Sequence, residues 1–323
     1  MSFSRLLPGG RASFRYADPH ARSVFVTGSF LGWRAPGVEL SRTERGFAVD
    51  VEVPQGDVVY KLVVDGRWIA DPTNLDLVDD GVGGHNSVLR ALGHRGASRH
   101  LDFFSPALGE RRSYVLHLPP DHASTEARLP VLYLLHGALD WERTWLERGE
   151  LAATLEALHE EGLRTPIVVM PKEPGALHRG DGRVVDYLAR DLVGHIDAEL
   201  STIAAPGARA LDGLSTGGFT SIVVGAWRTE VFGSVGSMSG SYDARAFDAV
   251  RSAAASVRAS GQRYVVSCGR DEPHYGTCRE MFQSLEGLGV AARWLEVPGL
   301  HDWPVWRALL GAHLRQHCER FAA

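Results

Sequence analysis

Three stretches of this chain carry side chains that could act together. The first is Leu211-Asp212-Gly213-Leu214-Ser215-Thr216-Gly217-Gly218. It reads as a short buried strand, a tight turn with a serine at its tip, and the start of a helical run from Phe219 to Trp227. Gly213-Leu214-Ser215-Thr216-Gly217 has the G-x-S-x-G pattern of such a strand-to-helix elbow. The turn crowds the backbone, so a Cβ at either flanking glycine would clash. The second stretch, Gly269-Arg270-Asp271-Glu272-Pro273, offers two adjacent carboxylates, and the third, Gly299-Leu300-His301-Asp302-Trp303, offers an imidazole. A serine hydroxyl is a poor nucleophile near neutral pH. It needs a base, and the base needs an orienting acid. Ser215, then Glu272 or Asp271, then His301 supply that set, and the chemistry it suits is acyl transfer. The negative charge that develops needs two backbone donors. One is the N–H of Thr216; the other should come from the turn His136-Gly137-Ala138, from Ala138 itself. His136 is expected to brace that turn.

Groups so far apart in sequence must be brought to one edge by the elements between them. After residue 98 the pattern is strand–helix alternation, the sign of an α/β sheet. Leu101 to Phe104 and Arg112 to Leu118 read as opening strands, and Pro130 to Leu135 as a buried strand ending at His136. Leu146 to Glu160 has helical apolar spacing at Leu151, Leu155 and Leu158. A strand over Pro166 to Met170, a helix over Val184 to Leu200 and a strand from Ala208 lead to the elbow. Phe232 to Met238, Arg263 to Cys268 and Ala291 to Val297 read as strands, with helices over Ala246 to Ala259, Cys278 to Leu288 and from the last strand to about Phe321. Each candidate group then follows a strand, in the order serine, acid, histidine, which is that of an α/β-hydrolase.

The front of the chain is different. Short alternating runs at Ser13 to Tyr16, Ser23 to Gly28, Phe47 to Val53 and Asp57 to Val64 are separated by turn residues, and Asp65-Gly66 is a hairpin signal before Arg67-Trp68-Ile69. This spacing predicts an immunoglobulin-like β-sandwich. Leu92 to Ser98 is polar, glycine-bearing and without period. It reads as the boundary between a domain over residues 1–95 and one over 96–323.

Two resemblances add to this. Gly28-Ser29-Phe30-Leu31-Gly32-Trp33, Tyr60 to Trp68, Asp71-Pro72 and His85-Asn86-Ser87-Val88 resemble the glycogen-binding modules of family 48. The resemblance implies that Trp33 and Trp68 stack on glucose rings while Lys61 and Asn86 hydrogen-bond sugar hydroxyls. An exposed indole does offer a flat apolar face to a pyranose. The bland alternative is a structural sandwich whose tryptophans pack against the next domain. Residues 101–310 resemble the esterase D and enterochelin-esterase group, which includes feruloyl esterases, through Tyr114 to Pro120, Val131 to Gly137, Gly213 to Gly218, Val231 to Gly240 and His301 to Trp306. That resemblance implies ester hydrolysis through an acyl-enzyme with no metal or organic cofactor. Relatives usually place the acid three residues after the glycine, which is Glu272 here. Thr216 stands where they usually have methionine, and residues 171–178 depart from their pattern.

Composition bounds the rest. The chain has 323 residues, 44% hydrophobic and 23% charged, with a formal net charge of −5. These are ordinary values for a globular protein. No basic stripe points to nucleic acid, and no apolar stretch has the length of a bilayer span. Cys268, Cys278 and Cys318 lack metal-type spacing and read as reduced thiols. With no signal-like apolar run near the N-terminus, a cytoplasmic protein is expected. The leading expectation is a serine carboxylesterase for a small-molecule or glycan ester, feruloyl or acetyl esters on a glucan or xylan among them. The alternatives are a cytoplasmic siderophore trilactone esterase, with Arg148, Lys172, Arg179 and Arg270 as basic contributors, and a non-catalytic glucan-binding protein.

Overall fold

The computed structural model describes residues 3–91, 96–123, 127–173 and 175–321. It forms two compact units, Met1–Leu101 with Leu116–Ala127, and Asp102–Val115 with Arg128–Ala323. Of the expected boundary stretch, residues 92–98, residues 92–95 lie outside the described residues, and Ala97 and Ser98 already belong to the strand Ala97–Ser105.

In the first unit the alternating runs build two antiparallel sheets. One has the order Arg5–Leu7, Arg11–Tyr16, Gly46–Glu52, Ser41–Thr43; the other runs Val38–Glu39, Val24–Gly28, Val58–Val64, His85–Leu89, Leu77–Asp79, with Arg67–Ile69 on Val58–Val64. Alternation puts every second side chain inward. Phe14, Val24, Val26, Phe47, Tyr60 and Leu62 therefore form one buried cluster. A polar knot is buried with it: Asp71 accepts hydrogen bonds from Ser4 Oγ at 2.9 Å and Tyr60 Oη at 2.7 Å. Asp71 of the family-48-like motif is thus a structural acceptor.

The second unit carries most of an eight-stranded sheet, in the order Ala97–Ser105, Glu110–Leu118, Ile167–Pro171, Val131–Leu135, Arg209–Gly213, Ser234–Met238, Arg263–Gly269, Ala291–Val297; Ala97 to Leu101 and Leu116 to Leu118 fall in the first. The strands from Val131 onward pair in parallel. Val131–Leu135, Ile167–Pro171, Arg209–Gly213 and Ser234–Met238 are buried along their whole length. Helices covering both faces of a parallel sheet require this, and it explains their unbroken apolar character.

The helix expected over Leu146 to Glu160 is not continuous. Thr144–Glu147 forms one turn and Leu151–Glu160 a separate helix. A Cβ at Gly149 would press on the Trp145 carbonyl and the Trp303 ring, and Glu150 adopts a left-handed φ of 56°. The chain has to turn there, whatever the spacing of its leucines. The helix expected over Val184 to Leu200 is present, with a π-turn at Tyr187–Leu192 inside it.

Candidate active site

The elbow strand Arg209–Gly213 ends one residue pair before Ser215, and the elbow helix Thr216–Trp227 begins immediately after it. Ser215 takes φ 54° and ψ −118°. A non-glycine residue there stores roughly 1–3 kcal/mol of strain, which its surroundings must impose. They do so through the backbone. Leu214 N–H donates to Leu135 O, Ser215 N–H to Met238 O at 2.9 Å, and Ser241 N–H to Ser215 O at 3.1 Å. The flanking glycines behave as the pattern requires. A Cβ at Gly213 would strike the Gly217 backbone, and one at Gly217 the carbonyls of Leu135 and His136.

Ser215 Oγ lies 3.0 Å from His301 Nε2. His301 Nδ1 lies 2.7 Å from Glu272 Oε2. An ionised carboxylate only accepts hydrogen bonds. The His301 ring proton therefore sits on Nδ1, and Nε2 is left to accept from the serine. The Glu272 side chain is fully buried. Burial alone would raise its pKa. The hydrogen bonds from His301, from Ser239 Oγ at 2.6 Å and from Gly269 N–H at 2.6 Å outweigh burial and hold it below the usual range. Asp271, the other candidate acid, is used differently. Its carboxylate accepts from Gly299 N–H at 2.9 Å and its own N–H donates to Gly299 O, so it braces the loop that carries His301.

Thr216 follows Ser215 directly as the first residue of the elbow helix, and a Cβ on Gly137, the residue before Ala138, would lie 3.2 Å from the Ser215 Cβ. His136 is buried: Glu173 N–H donates to its Nε2 at 3.2 Å, which fixes the proton on Nδ1, directed at Gly137 O 2.8 Å away. The histidine thus holds the Ala138 turn against the following loop, as a brace would.

Two supports gave no sequence signal of their own. Trp306 Nε1 donates to Ser239 Oγ at 3.1 Å, and Ser239 in turn donates to Glu272. Ser241 Oγ lies 3.3 Å from Ser215 Oγ. A serine after a strand is too common a pattern to single either out. The Trp306 and His274 rings lie 5.1 and 5.0 Å from that of His301, both edge-on. Among the described residues, one group has the donors and closeness of a metal set, Asp212, His313 and His317, all buried.

In the first unit the residues expected to meet sugar fall mainly on one face. Ser87 pairs with Tyr60, so Asn86 lies level with Lys61 across the strands. Trp68 pairs with Val63, two positions from Lys61 and on the same side. Trp33 sits in the loop after Gly28, whose Arg34 carbonyl accepts from Thr27 Oγ1. Trp33 and Trp68 are 37% and 43% exposed, so neither indole is buried within its unit. Lys61 Nζ is paired with Asp80 at 2.6 Å.

Fold and elbow together define the class: an α/β-hydrolase with serine at the nucleophile position. The esterase family model matches residues 105–317, and the chain belongs to that family. The model for the glycogen recognition site of AMP-activated protein kinase matches residues 11–92. An endo-1,4-beta-xylanase/feruloyl esterase of Xylanibacter ruminicola is 25% identical over 340 positions, covering 93% of this chain and 44% of the relative. The chain thus spans less than half of that relative's length. A ferulic acid esterase structure aligns with TM-score 0.64 at 24% identity, over 71% of this chain and 100% of the other. The enterobactin esterase of Shigella flexneri, solved in the presence of enterobactin, aligns with TM-score 0.60 at 18% identity, over 98% and 95%.

Proposed function

We propose that the chain is a serine carboxylesterase whose substrate is an acyl ester carried on a carbohydrate, with feruloyl and acetyl esters the leading classes. The observation that carries the reading is the unbroken relay from Ser215 through His301 to Glu272, at 3.0 and 2.7 Å. In this mechanism Ser215 Oγ attacks the ester carbonyl as its proton passes to His301 Nε2. Glu272 stabilises the imidazolium that results. The N–H groups of Thr216 and Ala138 receive the oxyanion. Collapse of the tetrahedral intermediate breaks the bond to the alcohol, which leaves with the proton from His301. Water, deprotonated by the same imidazole, then releases the acid.

The first domain, residues 1–95 in this reading, holds the glycan through Trp33, Trp68, Lys61 and Asn86. The match to the glycogen recognition site and the shared face of Lys61, Asn86 and Trp68 support that role. The xylanase/feruloyl esterase relative supports the substrate class. Cytoplasmic action belongs to the same proposal, supported by three free, buried thiols. Among the described residues no helix is long and apolar enough to cross a membrane. The second reading, a siderophore trilactone esterase, needs a basic pocket. Arg148 and Arg270 are already matched by Asp140 and Glu296, which favours the first reading.

The test is a substrate panel of methyl ferulate, acetylated xylan, a short p-nitrophenyl ester and a catecholate trilactone, run with wild type and Ser215→Ala. Turnover of the first three, lost in the variant, is the expected result. Selective turnover of the trilactone moves the assignment to the second reading, and wild-type rates in the variant remove the serine mechanism.

A further inference from the structure

Beneath the elbow lies a charged cluster that the mechanism above does not use. Asp212, the residue before Gly213, is 1% exposed, and its carboxylate meets two histidines of the C-terminal helix. Its Oδ2 lies 2.8 Å from His313 Nδ1 and 2.9 Å from His317 Nε2. Its Oδ1 accepts the N–H of Gly213 at 2.6 Å, the first peptide of the elbow. The far side of each ring is also met: His313 Nε2 by Ser267 Oγ at 2.8 Å, and His317 Nδ1 by Ser234 Oγ at 2.7 Å. Both imidazoles are fully buried and sit four residues apart on the C-terminal helix Trp303–Phe321, hence on one face of it.

That helix begins two residues after His301. Near its start, Trp306 reaches Ser239 and so Glu272. Further along, Gln316 Nε2 donates to Tyr264 O at 2.9 Å, in the strand that leads to Glu272. One rigid element therefore touches the supports of all three members of the relay. Its grip on the serine is the Asp212 cluster.

We propose that Asp212, held by His313 and His317, is a positioning residue that fixes Ser215 relative to His301 through the C-terminal helix. The inference rests on the serine-esterase reading. A buried charge held by several donors has one low-energy geometry, and removing one partner strands the others. Attack on the ester carbonyl is sensitive to displacement: a shift of about 1 Å can cost about 100-fold in rate. A strand end fixed only by apolar packing would leave Ser215 more freedom.

The arrangement makes a claim about protons. Each ring must carry hydrogen on the nitrogen facing Asp212, which is Nδ1 in His313 and Nε2 in His317. The two tautomers are opposite, and nitrogen NMR on histidine-labelled wild-type protein reads them. Finding that pair supports the clamp. The reverse pair, or stoichiometric zinc retained by the purified protein, overturns it.

The kinetic test compares Asp212→Asn with a triple replacement, Asp212→Ala with His313→Leu and His317→Leu, which swaps the polar cluster for apolar packing. Kinetics on a short p-nitrophenyl ester and covalent labelling of Ser215 by a fluorophosphonate are measured beside the thermal transition. We expect a folded variant whose kcat and labelling rate fall about 10-fold or more, with KM within about 2-fold. Wild-type kcat in either folded variant means the cluster only fills space and overturns the proposal. A wild-type protein that the fluorophosphonate does not label defeats the esterase reading instead, and leaves the tautomer result to stand alone.

Discussion

The two units assemble their candidate sites by different routes. In the first, Lys61, Asn86 and Trp68 share a face because neighbouring antiparallel strands pair in register. Each is placed by local alternation. In the second, Ser215 and His301 are 86 positions apart and meet because parallel strands deliver their loops to one edge. A face is set by pleat and pairing; an edge is set by the order of strands. The first tolerates loss of one contact, whereas the second fails if any single loop is displaced.

Substitutions in each unit test that contrast. The largest effect is expected at the strand edge. Ser215→Ala should lower kcat by about 1,000-fold or more on a short p-nitrophenyl ester, with the fold intact by circular dichroism. Next, Glu272→Gln should cost about 100-fold or more in kcat, since the wrong His301 tautomer is then stabilised. Asp271→Asn, which touches only the supporting loop, should cost under about 10-fold. Equal losses in the two would show that the carboxylates share the role.

The units should also differ in acid. Burial, with the Arg99 charge, brings the buried His117 down to about 4. A histidine neutral in the fold but protonated when unfolded gives stability that is complete above pH 6.5 and lost as the pH falls towards 4, on the order of 3 kcal/mol. For Asp212, burial acts to raise the pKa, but His313 and His317 bring it to about 2. Its contribution is complete above about pH 4 and lost only towards pH 2, on the order of 2 kcal/mol. Between pH 6.5 and 4, hydrogen-exchange protection factors, taken against the intrinsic rate at each pH, should fall in first-unit peptides before those of the elbow strand. Simultaneous loss would contradict these assignments.

The smallest effect is expected on the sheet face. Trp33→Ala with Trp68→Ala should weaken retention on glycogen or xylan several-fold to about 10-fold, while turnover of a small soluble ester stays unchanged. If the unmutated protein is not retained on either polymer, the sugar-binding role of Trp33, Trp68, Lys61 and Asn86 falls.

The same contrast explains what could be read in advance. The elbow was legible because a strained turn admits few residues, so Gly213 and Gly217 announce it. His301 was legible from strand order. The choice between Asp271 and Glu272 leaned on the resemblance alone, which put the acid at Glu272, since adjacent carboxylates at a strand end differ only in which way the loop turns them. The break at Gly149 and Glu150 was hidden because apolar spacing runs on through Leu151 and Leu155. The knot around Asp71 and the role of Ser239 were invisible for another reason. A polar residue in a strand or just after it looks the same whether it faces water or a buried partner, and only the fold names that partner.

Gly236 shows where this leads. A methyl group at that position would fall on the Asp212 carboxylate, on the adjacent strand. The two sites are thus interlocked as variables: no side chain can be tolerated at 236 while an acid occupies 212, and vacating 212 opens a hollow that 236 could fill. Any lineage or designer that trades away the buried charge gains freedom on the neighbouring strand at once. Paired change at these two positions, rather than change at either alone, is the route by which the elbow's foundation could be rebuilt in apolar form.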